Sequence, residues 1–136
     1  MQLYLDTSAL VKLVVKEPES SSLETYLGGF PFDTRFTAAL ARAELVRAVA
    51  RGESTASVDH ARRVLGRLDL VPLTNKLLDA AAAMMPQELR TLDAIHLAAA
   101  LTAPDLRAVV TYDNRLADAA VTRAIPVVNP GVSATG

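Results

Sequence analysis

The chain has no cysteine among its 136 residues, which excludes disulfides and thiolate metal centres and suits a reducing cytoplasm. It has no tryptophan and only three tyrosines and three phenylalanines, so a surface of aromatic platforms for stacking bases is not to be expected. An excess of charge of either sign is also missing. Fourteen Lys and Arg stand against fifteen Asp and Glu, so bulk electrostatics alone imply no nucleic-acid partner. No apolar run is long enough to span a bilayer. The first residues show no basic stretch leading into an apolar segment, so no signal peptide and no membrane association are expected. Proline and glycine fall between apolar blocks, and neither a repeat nor a linker is visible. Residues 1–136 therefore read as one domain.

What the chain does contain is a hydrophobic half, enough for a core without staples. Leu3-Tyr4-Leu5 is a short apolar run suited to a strand covered on both faces. Asp6-Thr7-Ser8 follows it and can cap a helix over residues 9–15, stopped by Pro18. The pattern then predicts a helix over 20–27, a strand over 33–37, and helices over 38–51 and 54–68. A strand at 70–73 is expected at a sheet edge because it contains Pro72. Helices at 74–85, capped by Thr74, and 92–102, capped by Thr91, come next. A β-branched strand at 108–111, a helix at 114–121 and a strand at 125–128 complete the pattern, and 129–136 reads as a mobile tail. Strands alternating with helices argue for an α/β fold with a parallel sheet covered on both faces.

Four acids carry the chemistry. Asp6 and Asp113 follow strands at their carboxyl ends, where open α/β sheets bind ligands. Either one also makes an ordinary helix cap. Glu44 lies on the edge of the stripe marked by Ala41, Leu45 and Ala48, with Arg47 placed for a surface pair at i+3. Asp93 is in the first turn of its helix, where the dipole favours it. His96, beside Ile95, Leu97 and Ala98, reads as a core or supporting group rather than a ligand. Carboxylates about 4 Å apart repel by roughly 4 kcal/mol at an effective dielectric near 20, so a cluster of four must take up protons or hold a cation. Hard oxygen donors select Mg²⁺ or Mn²⁺. Arginines between 42 and 67 make one stretch locally positive, either a solvated face or a contact for phosphates.

Leu5-Asp6-Thr7-Ser8-Ala9-Leu10, Arg42-Ala43-Glu44-Leu45, Leu92-Asp93-Ala94-Ile95-His96-Leu97-Ala98 and Val110-Thr111-Tyr112-Asp113-Asn114-Arg115-Leu116 resemble, in order, the four signatures of PIN-domain ribonucleases. More narrowly, the chain resembles the VapC toxins of VapBC toxin–antitoxin pairs. The resemblance implies a PIN-like three-layer fold with a sheet of order 3-2-1-4-5. It implies an Mg²⁺- or Mn²⁺-dependent endoribonuclease, a homodimer and a VapB-type antitoxin. Asp6, Glu44, Asp93 and Asp113 fall on the family's acidic positions, with Thr111 as the hydroxyl beside the fourth and Ser8 as a support for a bound water. Arg47, Arg51 and Arg115 are then the expected RNA contacts. A receiver-type signalling module would want paired acids after the first strand and a Lys after the last, and a DxDxT phosphatase would want Asp where Ser8 stands. Neither pattern is met. An inert antitoxin-binding protein has no need of all four acids.

Overall fold

The structure, a computed structural model, describes residues 1–52 and 55–133. Five parallel strands form one sheet in the order β3-β2-β1-β4-β5. The strands are β1 (Gln2–Leu5), β2 (Thr34–Ala38), β3 (Asp69–Val71), β4 (Leu106–Val110) and β5 (Val127–Val128). The helices are α1 (Thr7–Val14), α2 (Ser20–Gly28), α3 (Ala41–Ala50), α4 (Thr55–Leu65), α5 (Asn75–Ala82), α6 (Thr91–Ala100) and α7 (Asn114–Thr122). Order and class agree with expectation, and β3 stands at the edge, where the Pro72 that follows it requires no ladder partner.

The pleat divides the core in two. Leu3 and Leu5 point to one face and pack with Ala9, Leu10, Leu23, Leu45 and Val64 from α1–α4. Tyr4 points to the other and packs with Phe36, Leu97, Leu116 and Ile125 under α5–α7. Residues 93–100 of α6 are all buried, and four of the last five are alanines or Leu97, so this helix lies close against β2, α5 and α7. A helix buried all round belongs to the interior. Its polar members Asp93 and His96 must therefore find partners there.

Several element ends differ from expectation: α4 ends at Leu65 and not at 68, α5 at Ala82 and not at 85, and β4 runs over Leu106–Val110 and not 108–111. The helix expected from residue 38 starts at Ala41, because Ala38 ends β2 and hydrogen-bonds within the sheet region. Thr91 is not the cap of α6: Arg90 holds that position with extended backbone, and Thr91 is already helical. The expected strand at 125–128 shortens to Val127–Val128, since Pro126 cannot donate to a ladder, although its carbonyl accepts from Val109 N–H. The start expected for α4 at Ser54 lies outside the described residues, as does the end of the expected tail, residues 134–136. In the earlier part of that segment the Tyr112 hydroxyl donates to the Pro130 carbonyl at 2.7 Å. Among the described residues no helix is long and apolar enough to cross a membrane.

Candidate active site

The carboxyl ends of β1 and β4 lie side by side, with Leu5 registered on Val110 and Asp6 N–H bonded to the Val110 carbonyl. This pairing brings the residues after each strand together. The Asp6 Oδ1 atom caps α1 by accepting from Ala9 N–H at 3.1 Å and also accepts from the Ser8 hydroxyl at 2.7 Å. Its Oδ2 accepts from the Thr111 hydroxyl at 2.7 Å. Ser8 Oγ in turn accepts from Tyr112 N–H, and Thr111 Oγ1 from Asp113 N–H, so both hydroxyls are oriented by the backbone of the β4–α7 turn. Asp6 is only 4% exposed. Burial pushes its carboxyl above the usual aspartate range, against the pull of Ser8 and Thr111.

Glu44 enters from the first turn of α3. Its Oε1 accepts from the Thr7 hydroxyl and pairs with His96 Nε2, each at 2.8 Å. Partial burial opposes its charge, but the hydrogen bonds from His96 and Thr7 outweigh burial and hold the carboxyl below the usual range. The alternative for Glu44, a surface pair with Arg47, is not among the ion pairs of the described residues. Glu44 is turned inward to His96 instead.

Asp93, in the first turn of α6, is 4% exposed and takes the Arg90 guanidinium at 3.0 and 3.4 Å. Arg90 reaches on to Asp113 Oδ2 at 3.4 Å, while Asp113 Oδ1 caps α7 through Arg115 N–H. The cap and the site are the same carboxylate, as they are at Asp6. Arg90, like Thr7 and Tyr4, is a partner of the site that the sequence pattern did not single out. Its signal was the Arg90-Thr91-Leu92-Asp93 spacing, which sets a cation one turn before an acid at a helix start.

Asp6, Ser8, Glu44, Arg90, Asp93, His96 and Asp113 all line one cavity of about 330 Å³ at the carboxyl edge of the sheet. All four acids named from sequence are thus brought together, with Ser8 and Thr111 behind Asp6. Arg115 lies beside this cavity, on a surface hollow shared with Arg90, Asp93 and Asp118. Arg47 and Arg51 are exposed on α3 and line neither hollow.

The donor set suits a hard cation. Carboxylate oxygens dominate it, and both His96 nitrogens are already engaged, Nδ1 by Tyr4 and Nε2 by Glu44. As the side chains stand, no three His, Asp or Glu groups among the described residues are gathered tightly enough to hold a metal ion. Negative charge is balanced instead by Arg90 and by hydroxyl and imidazole donors.

The sequence matches the PIN domain family over residues 3–121. It is 48% identical over 130 residues to Ribonuclease VapC46 of Mycobacterium tuberculosis, covering 94% of this chain and 97% of that protein. It is 46% identical over 118 residues to Ribonuclease VapC47 of the same organism, covering 84% of this chain and 86% of that protein. In three dimensions it superimposes with a TM-score of 0.68 on a chain of VapBC2 from Rickettsia felis, solved bound to a DNA fragment from their promoter. That match covers 96% of this chain and 99% of the other at 19% identity, so it speaks for the fold alone. With four acids at the carboxyl edge of a 3-2-1-4-5 sheet and near-full-length identity to VapC ribonucleases, this chain belongs to the PIN domain family.

Proposed function

We propose that the protein is the endoribonuclease toxin of a type II toxin–antitoxin pair, hydrolysing RNA phosphodiester bonds at the Asp6–Glu44–Asp93–Asp113 cavity. The observation that carries this reading is the convergence of these four carboxylates on one cavity in a chain nearly half identical to ribonucleases along its length. Mg²⁺ or Mn²⁺ is the proposed cofactor, held by Asp6, Glu44 and Asp93, with Asp113 completing the set directly or through water. When bound, such a cation lowers the pKa of water and offsets charge developing on phosphate.

The chain's own residues set the stage. Ser8, Thr111 and Ala9 N–H fix the Asp6 carboxylate from behind, so its orientation does not depend on the ligand. Thr7 and His96 fix Glu44 through one oxygen. Arg90 and Arg115 stand where a phosphate approaching Asp93 and Asp113 would meet them, and Arg47 and Arg51 extend the positive surface along α3. RNA is the proposed substrate, and a VapB-type antitoxin and a second copy of the chain are the proposed partners. The action is proposed for the cytoplasm.

Purified, antitoxin-free protein mixed with total RNA tests the reading. Cleavage in Mg²⁺ or Mn²⁺, lost in EDTA and restored by added metal, is the expected result. Full activity in EDTA excludes the proposed chemistry.

A further inference from the structure

A line of hydrogen bonds runs through the core from the end of β2 to the candidate site. Ala38 N–H donates to the Tyr4 hydroxyl oxygen at 3.2 Å. The Tyr4 hydroxyl lies 2.6 Å from His96 Nδ1, and His96 Nε2 lies 2.8 Å from Glu44 Oε1. Tyr4 is fully buried and His96 is 5% exposed. The Tyr4 and His96 rings meet edge to face, at 5.9 Å between centroids, and Phe36 packs on the other side of Tyr4. Nothing in packing alone requires a tyrosine here. Phenylalanine would fill the same place in a core layer whose other buried hydrophobic members, Phe36 among them, carry no polar side-chain atom.

The direction of each bond follows from counting protons. The Glu44 carboxylate can only accept, so Nε2 carries the hydrogen that meets it, and Nδ1 of the neutral ring is left to accept from the Tyr4 hydroxyl, whose oxygen already accepts from Ala38 N–H. A buried hydroxyl left without an acceptor is unfavourable. Nδ1 is therefore the acceptor and Nε2 carries the hydrogen, which it donates to Glu44. Oε1 of Glu44 then holds two donors, His96 and Thr7, whereas its Oε2 takes no hydrogen bond from a described side chain.

We propose that Tyr4 and His96 are positioning residues: a buried relay that holds the imidazole and, through it, turns Glu44 so that Oε2 alone faces the cavity. This rests on the function proposed above, since it gives Oε2 to the cation or water of that site. It also explains a second buried polar group, besides Asp93, on the buried α6. Partners of this kind, one shell behind a ligand, typically change metal affinity or activity by about 10–100-fold when removed.

The experiment compares the full-length, antitoxin-free protein with His96→Leu, His96→Gln and Tyr4→Phe, using Mn²⁺ as the probe. Gln carries an N–H at the reach of Nε2, so it can still donate to Glu44, and Leu cannot. Calorimetric titration should show Mn²⁺ affinity about tenfold weaker in His96→Leu, with His96→Gln recovering most of it. Equal weakening in Gln and Leu, or no weakening in a folded His96→Leu, overturns the relay. Independently of any metal, the ¹⁵N spectrum of His96 in the unsubstituted protein should show hydrogen on Nε2, and Tyr4→Phe should shift the Nδ1 resonance, because that nitrogen loses its donor while Glu44 still accepts from Nε2–H. Hydrogen on Nδ1 overturns the proposal even where the Leu variant fails to fold. Failure of the unsubstituted protein to bind Mn²⁺ or cut RNA, with the tautomer as stated, strikes the proposed function and leaves the Tyr4–His96–Glu44 geometry standing.

Discussion

Asp6 is a helix cap and a site carboxylate at once, and the two duties pull in opposite directions. As a cap it satisfies Ala9 N–H. As a buried charge it is unfavourable, and its carboxyl is raised accordingly. The unfolded chain loses this proton near the ordinary value of ~3.9, the folded metal-free chain at higher pH. Between the two values the folded state binds more protons, so stability from this group falls as pH rises through that window. Asp6→Asn keeps an oxygen for Ala9 and Ser8 and has no charge to bury. Its melting temperature in EDTA should match the unsubstituted protein in acid and equal or exceed it at neutral pH. RNA cleavage should fall by more than the roughly 10–100-fold typical of supporting residues. A variant that melts earlier at neutral pH would make the cap the dominant role. Arg90 allows a second test at this scale. Its guanidinium holds the oxygens of Asp93 and Asp113 that a cation would use, and its side chain is 51% exposed. Arg90→Ala should therefore bind Mn²⁺ a few-fold more tightly in calorimetry without RNA, and bind RNA more weakly. Unchanged Mn²⁺ affinity would mean that the pair does not compete.

At the scale of elements, sequence pattern resolved the order of strands and helices because hydrophobic period and Gly/Pro punctuation are local properties. Element ends were less legible, since they depend on partners elsewhere: Ala38 belongs to β2 because β1 and β3 lie beside it, and not because of its helix propensity. The acids were legible from their positions at strand ends and helix starts. Their partners were not. Tyr4 and Thr7 are brought to the site by the β1–β4 pairing and by the packing of α6 on the sheet, and no spacing along the chain announces that. The α3 arginines illustrate the converse. Arg47 and Arg51 are exposed and do not line the cavity, so the role proposed for them is with RNA beyond the scissile group. Replacing either with Ala should leave cleavage of a very short oligonucleotide intact. It should also reduce the slope of log affinity against log salt by roughly 0.7 per contact on single-stranded RNA. Filter binding across a salt series reads this directly, and an unchanged slope assigns both to solvated surface.

At the scale of the whole molecule, the site is an acid floor with a basic margin. Asp6, Glu44, Asp93 and Asp113 line the cavity, Arg90 and Arg115 border it, and the α3 arginines lie beyond. A nuclease of this kind endangers its own cell unless the cavity is covered, and a VapB-type antitoxin is the partner proposed to cover it. A segment suited to that surface has acidic groups for the margin and apolar anchors, with an Arg or Lys for the floor. Arg90 already shows that the floor accepts a guanidinium between Asp93 and Asp113. An incoming cation would meet the same oxygens as the metal, so antitoxin and metal should exclude one another. By linkage the effect is reciprocal: whatever factor Mn²⁺ takes from antitoxin affinity, the antitoxin takes from Mn²⁺ affinity. Measuring antitoxin binding in EDTA and in saturating Mn²⁺, then Mn²⁺ binding with and without antitoxin, should give the same factor both ways. Equal antitoxin affinity in EDTA and Mn²⁺ would mean that the antitoxin blocks RNA access alone. Arg90→Ala adds the last control, because it removes a resident competitor and should strengthen Mn²⁺ binding while leaving the mutual exclusion of metal and antitoxin in place.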